Sequence, residues 1–373
     1  MKKTLLFTLD FPPRNGGVAK YYENLCAYFS YDKIAVLCQN ESGGKDFDRR
    51  QKYKIFRKNL ITRFPIWPKW IFSFFYLWRV NKKEGADIIL VGQVLPLGTV
   101  AWIYKKLFKI PYGVFIHGMD IAMTNRIARK NKLARKILKN AEFIVANSEY
   151  TKGLIKGQGI SGDKIKVVYP CVSQITQNNT PYTTKRREKI LLTIGRLVKR
   201  KGQDMVIKAL PKVLEKFPEM RYIIAGDGFD RKYLENLSKK CGIEKNVKFL
   251  GEISDEQKFE LYADCDIFIM PSRDIDGDVE GFGIVYLEAA LYEKPAIAGK
   301  SGGTAEAVLD GQTGVLVNPE SIDEIRDAII KLLANPDLAN KFGVQGRKRV
   351  LSEFTLERQA EKIRKLYEII TCV

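Results

Sequence analysis

Histidine is almost missing from this 373-residue chain, which holds one, His117. The six cysteines (Cys26, Cys38, Cys171, Cys241, Cys265, Cys372) are scattered, with no C-x-x-C pair. Together these leave no Cys/His set for a zinc site, and the thiols read as reduced and cytosolic. No apolar run approaches the roughly 18 residues needed to span a bilayer, so no membrane crossing is expected. The opening Met1-Lys2-Lys3-Thr4-Leu5-Leu6-Phe7 hints at a signal peptide, but Asp10 and Pro12-Pro13 cut the apolar stretch short and no small-residue cleavage site follows. It reads instead as a first strand. Acidic residues are also scarce, but only in the first half: residues 1–180 carry net charge +19 and residues 181–373 carry +1. That asymmetry points to a polyanionic partner for the first half, a membrane surface or a nucleic acid.

What is present is enough for two cores. The length suits two domains, and 45% hydrophobic content is ordinary for globular proteins. Short β-rich apolar runs alternate with helical stretches, the pattern of doubly wound α/β domains. Strands are expected at 4–10, 34–38, 53–57, 87–92, 112–117, 142–147 and 165–169, and again at 189–195, 221–225, 247–250, 266–270, 295–298 and 314–317. Between the two sets, residues 173–188 have linker composition. The expected division is 1–180, 181–352 and a basic terminal helix over 353–373.

The segment Glu280-Gly281-Phe282-Gly283-Ile284-Val285-Tyr286-Leu287-Glu288 reads as a glycine loop running into a helix. Gly281 and Gly283 let the backbone approach a ligand, and the N–H groups of Phe282, Gly283 and Ile284 would point at an anion on the helix end. Glu280 would lie beside that anion, and Glu288 about one and a half turns along, both able to bind hydroxyls. In open α/β sheets ligands bind beyond the carboxyl ends of strands. Strand 189–195 ends in Gly195-Arg196-Leu197 and continues to Lys201-Gly202, which makes Arg196 and Lys201 candidates to clamp a diphosphate. In the first half, Pro12-Pro13-Arg14-Asn15-Gly16-Gly17-Val18 has the position of a phosphate-approach loop, and His117 ends strand 112–117. Asp274, Asp276 and Asp278 are spaced like a metal-binding Asp-x-Asp, but an acidic loop edge is the favoured account of them, and metal-independent activity with no cofactor is expected.

Taken together, Gly16-Gly17-Val18, His117, Gly195-Arg196-Leu197 with Lys201-Gly202, Ala225-Gly226-Asp227-Gly228, and Glu280 with Glu288 resemble family 4 of the retaining glycosyltransferases over essentially the full length. Within it, Asp278 to Ala289 is most similar to GDP-mannose-dependent phosphatidylinositol mannosyltransferases. The resemblance implies the GT-B fold: two Rossmann-like domains facing a central cleft, with the C-terminal helix crossing back to the first. It implies that Arg196 and Lys201 neutralise the donor diphosphate and that Glu288 holds the ribose. Glu280 with the amides of Phe282, Gly283 and Ile284 would hold sugar and phosphate. Gly16 and Gly17 would meet the diphosphate from the other domain, His117 would contact the sugar, and the loop at Glu252 and Ile253 would receive the base. Asp10 and Arg14 are candidate acceptor contacts.

The implied reaction moves a hexose, plausibly mannose from GDP-mannose, to a lipid-linked or phosphorylated acceptor at the inner face of the cytoplasmic membrane. Residues 45–83 carry twelve Lys+Arg against Asp46 and Asp48, with Trp67, Trp70 and Trp78 among them. Residues 126–139 add seven more and no acid. This makes an anionic lipid surface the expected partner. Residues 70–80 suit either a core helix or a membrane contact. A UDP-sugar with a soluble acceptor is the alternative. A nucleic-acid-binding protein would explain the basic half but not Arg196, Lys201, Glu280 and Glu288 in the other, and a sugar-nucleotide epimerase would need no acceptor.

Overall fold

The computed structural model describes residues 2–14, 16–62, 67–172 and 188–371. The chain divides into two compact units, one formed by 1–171 with 356–373 and the other by 172–355. The expected linker lies almost wholly outside the described residues.

The first unit runs β1 (Thr4–Thr8), α1 (Gly17–Cys26), β2 (Ile34–Gln39), α2 (Gly44–Arg49), β3 (Lys54–Lys58), α3 (Ile71–Glu84), β4 (Ile88–Val91), α4 (Leu97–Phe108), β5 (Tyr112–Ile116), α5 (Met119–Asn125), α6 (Ala128–Asn140), β6 (Ile144–Ala146), α7 (Glu149–Lys156) and β7 (Ile165–Val167). The second runs β8 (Ile190–Ile194), α8 (Gln203–Leu214), β9 (Arg221–Ala225), α9 (Arg231–Lys240), β10 (Val247–Gly251), α10 (Asp255–Asp264), β11 (Ile267–Met270), α11 (Ile284–Leu291), β12 (Ala296–Gly299), α12 (Thr304–Ala307), β13 (Gly314–Val317), α13 (Ile322–Ala334) and α14 (Pro336–Glu353). The last helix, α15 (Leu356–Thr371), belongs to the first unit.

Among the described residues each unit has one parallel sheet, seven strands in the order β3-β2-β1-β4-β5-β6-β7 and six in the order β10-β9-β8-β11-β12-β13. Strands β1, β4, β5, β8 and β11 are buried along their whole length, as expected where helices cover both faces of a parallel sheet. That is why they read as unbroken apolar runs. Strand order reverses between β1 and β4 in one sheet and between β8 and β11 in the other. Those two switch points open the crevices in which doubly wound sheets bind ligands.

Strand β1 stops at Thr8, short of the expected 10, because the chain's next donors turn to side chains. The Leu9 N–H goes to Gln93 Oε1 at 3.1 Å and the Asp10 N–H to Thr8 Oγ1 at 3.1 Å. Helix α15 packs Ile363, Leu366 and Tyr367 into the core with Phe29, Phe115 and Phe143, and Tyr367 OH meets Thr4 Oγ1 at 3.0 Å. Helix α3 divides the alternatives left open for residues 70–80. Ser73, Leu77 and Val80 are buried, while Ile71, Phe72 and Phe75 on its other side are 45%, 39% and 47% exposed.

Candidate functional site

In the second unit, the end of β8 carries Gly195 at φ 157, beside which the Lys201 side chain lies, its Cε 3.8 Å from where a Cβ at 195 would stand. Lys201 Nζ meets Glu280 Oε2 at 2.5 Å. Arg200, buried, reaches the same oxygen with Nη1 at 2.6 Å, and its Nε approaches Asp278 Oδ1 at 2.9 Å off the hydrogen-bonding direction. Burial by itself would raise the Glu280 pKa, but Lys201 and Arg200 overcome it and bring the carboxyl down to about 2. Burial lowers the Lys201 pKa, Glu280 holds against it, and the charge of nearby Arg196 adds to the lowering. Arg196 itself is exposed, and among the described residues no carboxylate pairs with it.

The loop around Glu280 is held from behind by glycines. A Cβ at Gly302 would stand 2.2 Å from the Glu280 carbonyl oxygen, and one at Gly303 2.1 Å from that of Gly281. The Gly303 N–H donates to Glu280 O at 2.9 Å. Only glycine allows the segment after β12 to lie this close. Gly283 (φ 92) precedes the first residue of α11, and a Cβ there would run into the Tyr286 ring at 2.5 Å. Phe282 is buried against Phe354, ring centroids 5.6 Å apart. On the Arg196 side, Gly226 and Gly228 pack directly on the backbone of Gly195 and Leu197.

Glu288, on α11, is held by two groups of α10. Lys258 Nζ is 3.0 Å from Oε1, and the Tyr262 hydroxyl donates to Oε2 at 2.9 Å. Glu252 and Ile253 follow β10, the first exposed and the second half-buried, just before Ser254 caps α10 in a capping box with Gln257. Asp274 accepts the Gly277 N–H within the 274–278 loop at 2.6 Å, and Asp278 pairs with Arg200.

In the first unit, Gly16 (φ 147) precedes α1, which opens at Gly17; Asn15 lies outside the described residues. His117 follows β5, its Nε2 2.7 Å from the Tyr22 hydroxyl, and burial drops its pKa to about 3. Its backbone N–H donates to Asp120 Oδ1 at 3.1 Å. Burial pushes the Asp120 carboxyl up to about 7 against the backbone N–H groups that lower it. Asp10 and Arg14 pair with each other at 3.0 Å, and Gln93 Nε2 donates to Asp10 Oδ2 at 2.7 Å.

Thus Arg196, Lys201 and Glu280 stand together at the second unit's switch point. His117, Gly16, Gly17, Asp10 and Arg14 follow β5 and β1 in the first unit. Sequence reasoning missed Arg200, Gly302, Gly303, Lys258 and Tyr262. Arg200 stands inside the Lys199-Arg200-Lys201 run, and only burial separates its role from its neighbours'. Ser301-Gly302-Gly303-Thr304 after a short apolar strand was a readable signal.

This fold and these clusters define a glycosyltransferase of the GT-B class. Residues 15–174 match the model of Glycosyltransferase Family 4, and residues 175–349 match that of Glycosyl transferases group 1; the chain belongs to this family. The chain is 29% identical over 97% of both chains to the GDP-mannose-dependent monoacylated alpha-(1-6)-phosphatidylinositol monomannoside mannosyltransferase of Corynebacterium glutamicum. It is 28% identical, with the same coverage, to the GDP-mannose-dependent alpha-(1-6)-phosphatidylinositol monomannoside mannosyltransferase of Mycolicibacterium smegmatis. Among solved structures, HepE of Anabaena in complex with UDP and glucose superposes with TM-score 0.82 at 21% identity, over 99% of this chain and 100% of that one.

Proposed function

We propose that the enzyme transfers mannose from GDP-mannose, with retention and without a metal, to a lipid-linked or phosphorylated acceptor at a membrane surface. The observation that carries the donor reading is the Arg196, Lys201 and Glu280 cluster at the β8/β11 switch point, with Glu288 oriented about one turn along α11. The choice of GDP-mannose is supported by the relatives of similar length that carry that donor in their names.

In this reading the bond between the sugar C1 and the leaving phosphate oxygen breaks as the acceptor oxygen bonds to C1 on the same face. The acceptor's proton passes to the leaving diphosphate. Charge grows on that diphosphate in the transition state, and prearranged cations there lower the barrier. Arg196 supplies an unpaired guanidinium. Lys201 spends one of its three donors on Glu280, leaving two for phosphate oxygens. Within the first unit, Gly16 and Gly17 form the loop after β1 that can approach a phosphate, and within the second the loop at Glu252 and Ile253 takes the base. The amides of Phe282, Gly283 and Ile284 face the phosphate, and Asp10 and Arg14 face the acceptor.

Exposed apolar groups among cations support the membrane part. Trp67 is 85% exposed near Ile71, Phe72 and Phe75 of α3 in the basic 45–83 segment; residues 63–66 of that segment lie outside the described residues. Met119, Met123 and Ile127, 39%, 48% and 46% exposed at a spacing of four, adjoin α6 and its basic run. With about 1 kcal/mol per cation near an anionic leaflet, half of these would suffice for reversible docking. Among the described residues no helix is long and apolar enough to cross a membrane.

Calorimetric titration with GDP and with UDP, repeated on Arg196→Ala, tests the donor site. Preference for GDP that is lost in the variant is the expected result. Preference for UDP would leave the transferase and overturn the mannosyl assignment, favouring the UDP-sugar reading that HepE represents among the solved structures. Sedimentation with anionic vesicles, abolished by high salt, is expected for the membrane reading, and no sedimentation at low salt would refute it.

A further inference from the structure

Tyr22 is fully buried, and its hydroxyl stands 2.6 Å from Gly92 O and 2.7 Å from His117 Nε2. A phenol has one proton to give, and a carbonyl oxygen can only accept. The proton therefore goes to Gly92 O; if it went to the imidazole, two oxygens would face each other at 2.6 Å with no hydrogen between them. Tyr22 Oη must then accept from His117 Nε2–H. Burial keeps the Tyr22 phenol protonated and the His117 ring neutral. A neutral imidazole that carries its proton on Nε2 has a bare Nδ1, and among the described residues Nδ1 has no partner.

Everything else about the ring is fixed. Tyr21 and Tyr22 meet it edge-on at centroid distances of 5.1 and 5.3 Å. Its backbone is tied by the N–H to Asp120 Oδ1 and by Asn147 Nδ2 to its carbonyl oxygen at 3.4 Å. Gly92 is part of the same construction, since a Cβ there would stand 2.4 Å from Thr8 Oγ1 and 3.1 Å from Tyr22 Cζ.

We propose that Tyr22 is a positioning residue that sets the tautomer of His117, presenting Nδ1 as a hydrogen-bond acceptor, so that the imidazole reads a hydroxyl hydrogen of the transferred sugar and not a phosphate oxygen. This rests on the donor-site reading above and gives it a direction. A bare Nδ1 repels an anionic oxygen and selects an O–H. A neutral ring also offers no positive charge to a phosphate.

Because the chain has one histidine, long-range proton–nitrogen correlation spectra of untagged, 15N-labelled full-length protein show a single imidazole. The expected wild-type spectrum has Nε2 protonated and Nδ1 bare, unchanged from pH 8 to pH 5 across any ionisation of Asp120. In Tyr22→Phe the spectrum becomes a mixture of the two tautomers. Adding GDP-mannose or UDP-glucose, whichever binds, moves the Nδ1 resonance, while GDP or UDP alone does not. A wild-type ring protonated on Nδ1 overturns the inference, and needs no ligand and no variant. So does an unchanged tautomer in Tyr22→Phe, or an Nδ1 resonance that responds to the bare nucleotide as it does to the sugar nucleotide. If calorimetry on the same sample finds no nucleotide or sugar nucleotide bound, the donor site falls and the hydroxyl-reading role with it, whereas Nδ1–H in the free protein sinks the role of Tyr22 alone.

Discussion

Replacing Glu280 by glutamine keeps the shape of the side chain and removes the charge shared by Lys201 and Arg200. The carboxyl's drop from the ordinary 4.5 to about 2 measures how strongly the folded unit prefers it ionised. At about 1.4 kcal/mol per pKa unit this amounts to about 3 kcal/mol. The sign follows from linkage. A carboxyl depressed on folding contributes its full stability above the unfolded value near 4.5 and loses it as pH falls toward 2, with about half left at pH 3. Urea unfolding of wild type and Glu280→Gln, followed by far-ultraviolet circular dichroism, should therefore differ by about 3 kcal/mol at pH 7 and by about half that at pH 3. Other carboxyls titrate in both proteins and cancel in the difference. In melting temperature the neutral-pH loss corresponds to about 6–12 °C for a unit of this size. A difference that is the same at both pH values, or below about 1 kcal/mol at pH 7, would refute the claim that Glu280 is the anchor of a buried ion cluster.

Arg196→Ala should leave stability within about 0.5 kcal/mol, since the side chain is exposed and unpaired, yet weaken nucleoside diphosphate binding about tenfold to a hundredfold, the worth of a charge-assisted hydrogen bond. Equal loss of both in thermal melts and titrations would place Arg196 in the fold and not in the site. Gly303→Ala must push the Gly281 carbonyl away from a Cβ that would stand 2.1 Å from it, so a loss of about 1–3 kcal/mol and weaker diphosphate binding are expected together, and wild-type melting would show that the contact is slack. Asp120→Asn should gain stability over wild type as pH rises from about 4 to 7 and hold that gain above, because a carboxyl whose pKa rises on folding costs stability once it ionises; a gain independent of pH in urea titrations would contradict this.

The apolar runs that became β1, β4, β5, β8 and β11 were legible because a parallel sheet buried on both faces leaves no polar alternation to confuse them. Arg196, Lys201, Glu280 and Glu288 were legible for a related reason: each sits just past a strand or on the helix that follows a glycine loop. What stayed hidden depends on contacts between distant segments. Nothing in Lys199-Arg200-Lys201 says that the middle residue is the buried one that faces Asp278 and Glu280, some eighty residues away. Lys258 and Tyr262 look like any positions of an amphipathic helix until α10 is placed against α11. Tyr22 lies on α1 far from His117, and only the adjacency of β1, β4 and β5 brings the two side chains and Gly92 together.

The charge arithmetic of the second unit's cluster explains why its cations are not equivalent. Arg200 and Lys201 face Glu280 and the part-exposed Asp278, two charges against two, so the cluster is neutral before any ligand arrives. Burying Lys201 without Glu280 would leave an ammonium whose pKa falls, and a deprotonated lysine cannot stabilise a leaving group. Glu280 therefore keeps Lys201 charged while occupying only one of its hydrogens. In the proposed donor site Arg196, outside that cluster, is the exposed positive charge that would draw a diphosphate in. The attraction resides in the exposed residue, and the rigid positioning of donors resides in the buried ones. Nucleotide binding should accordingly weaken steeply with added salt in the wild type and shallowly in Arg196→Ala, whereas loss of Glu280 should change the stability of the unit first.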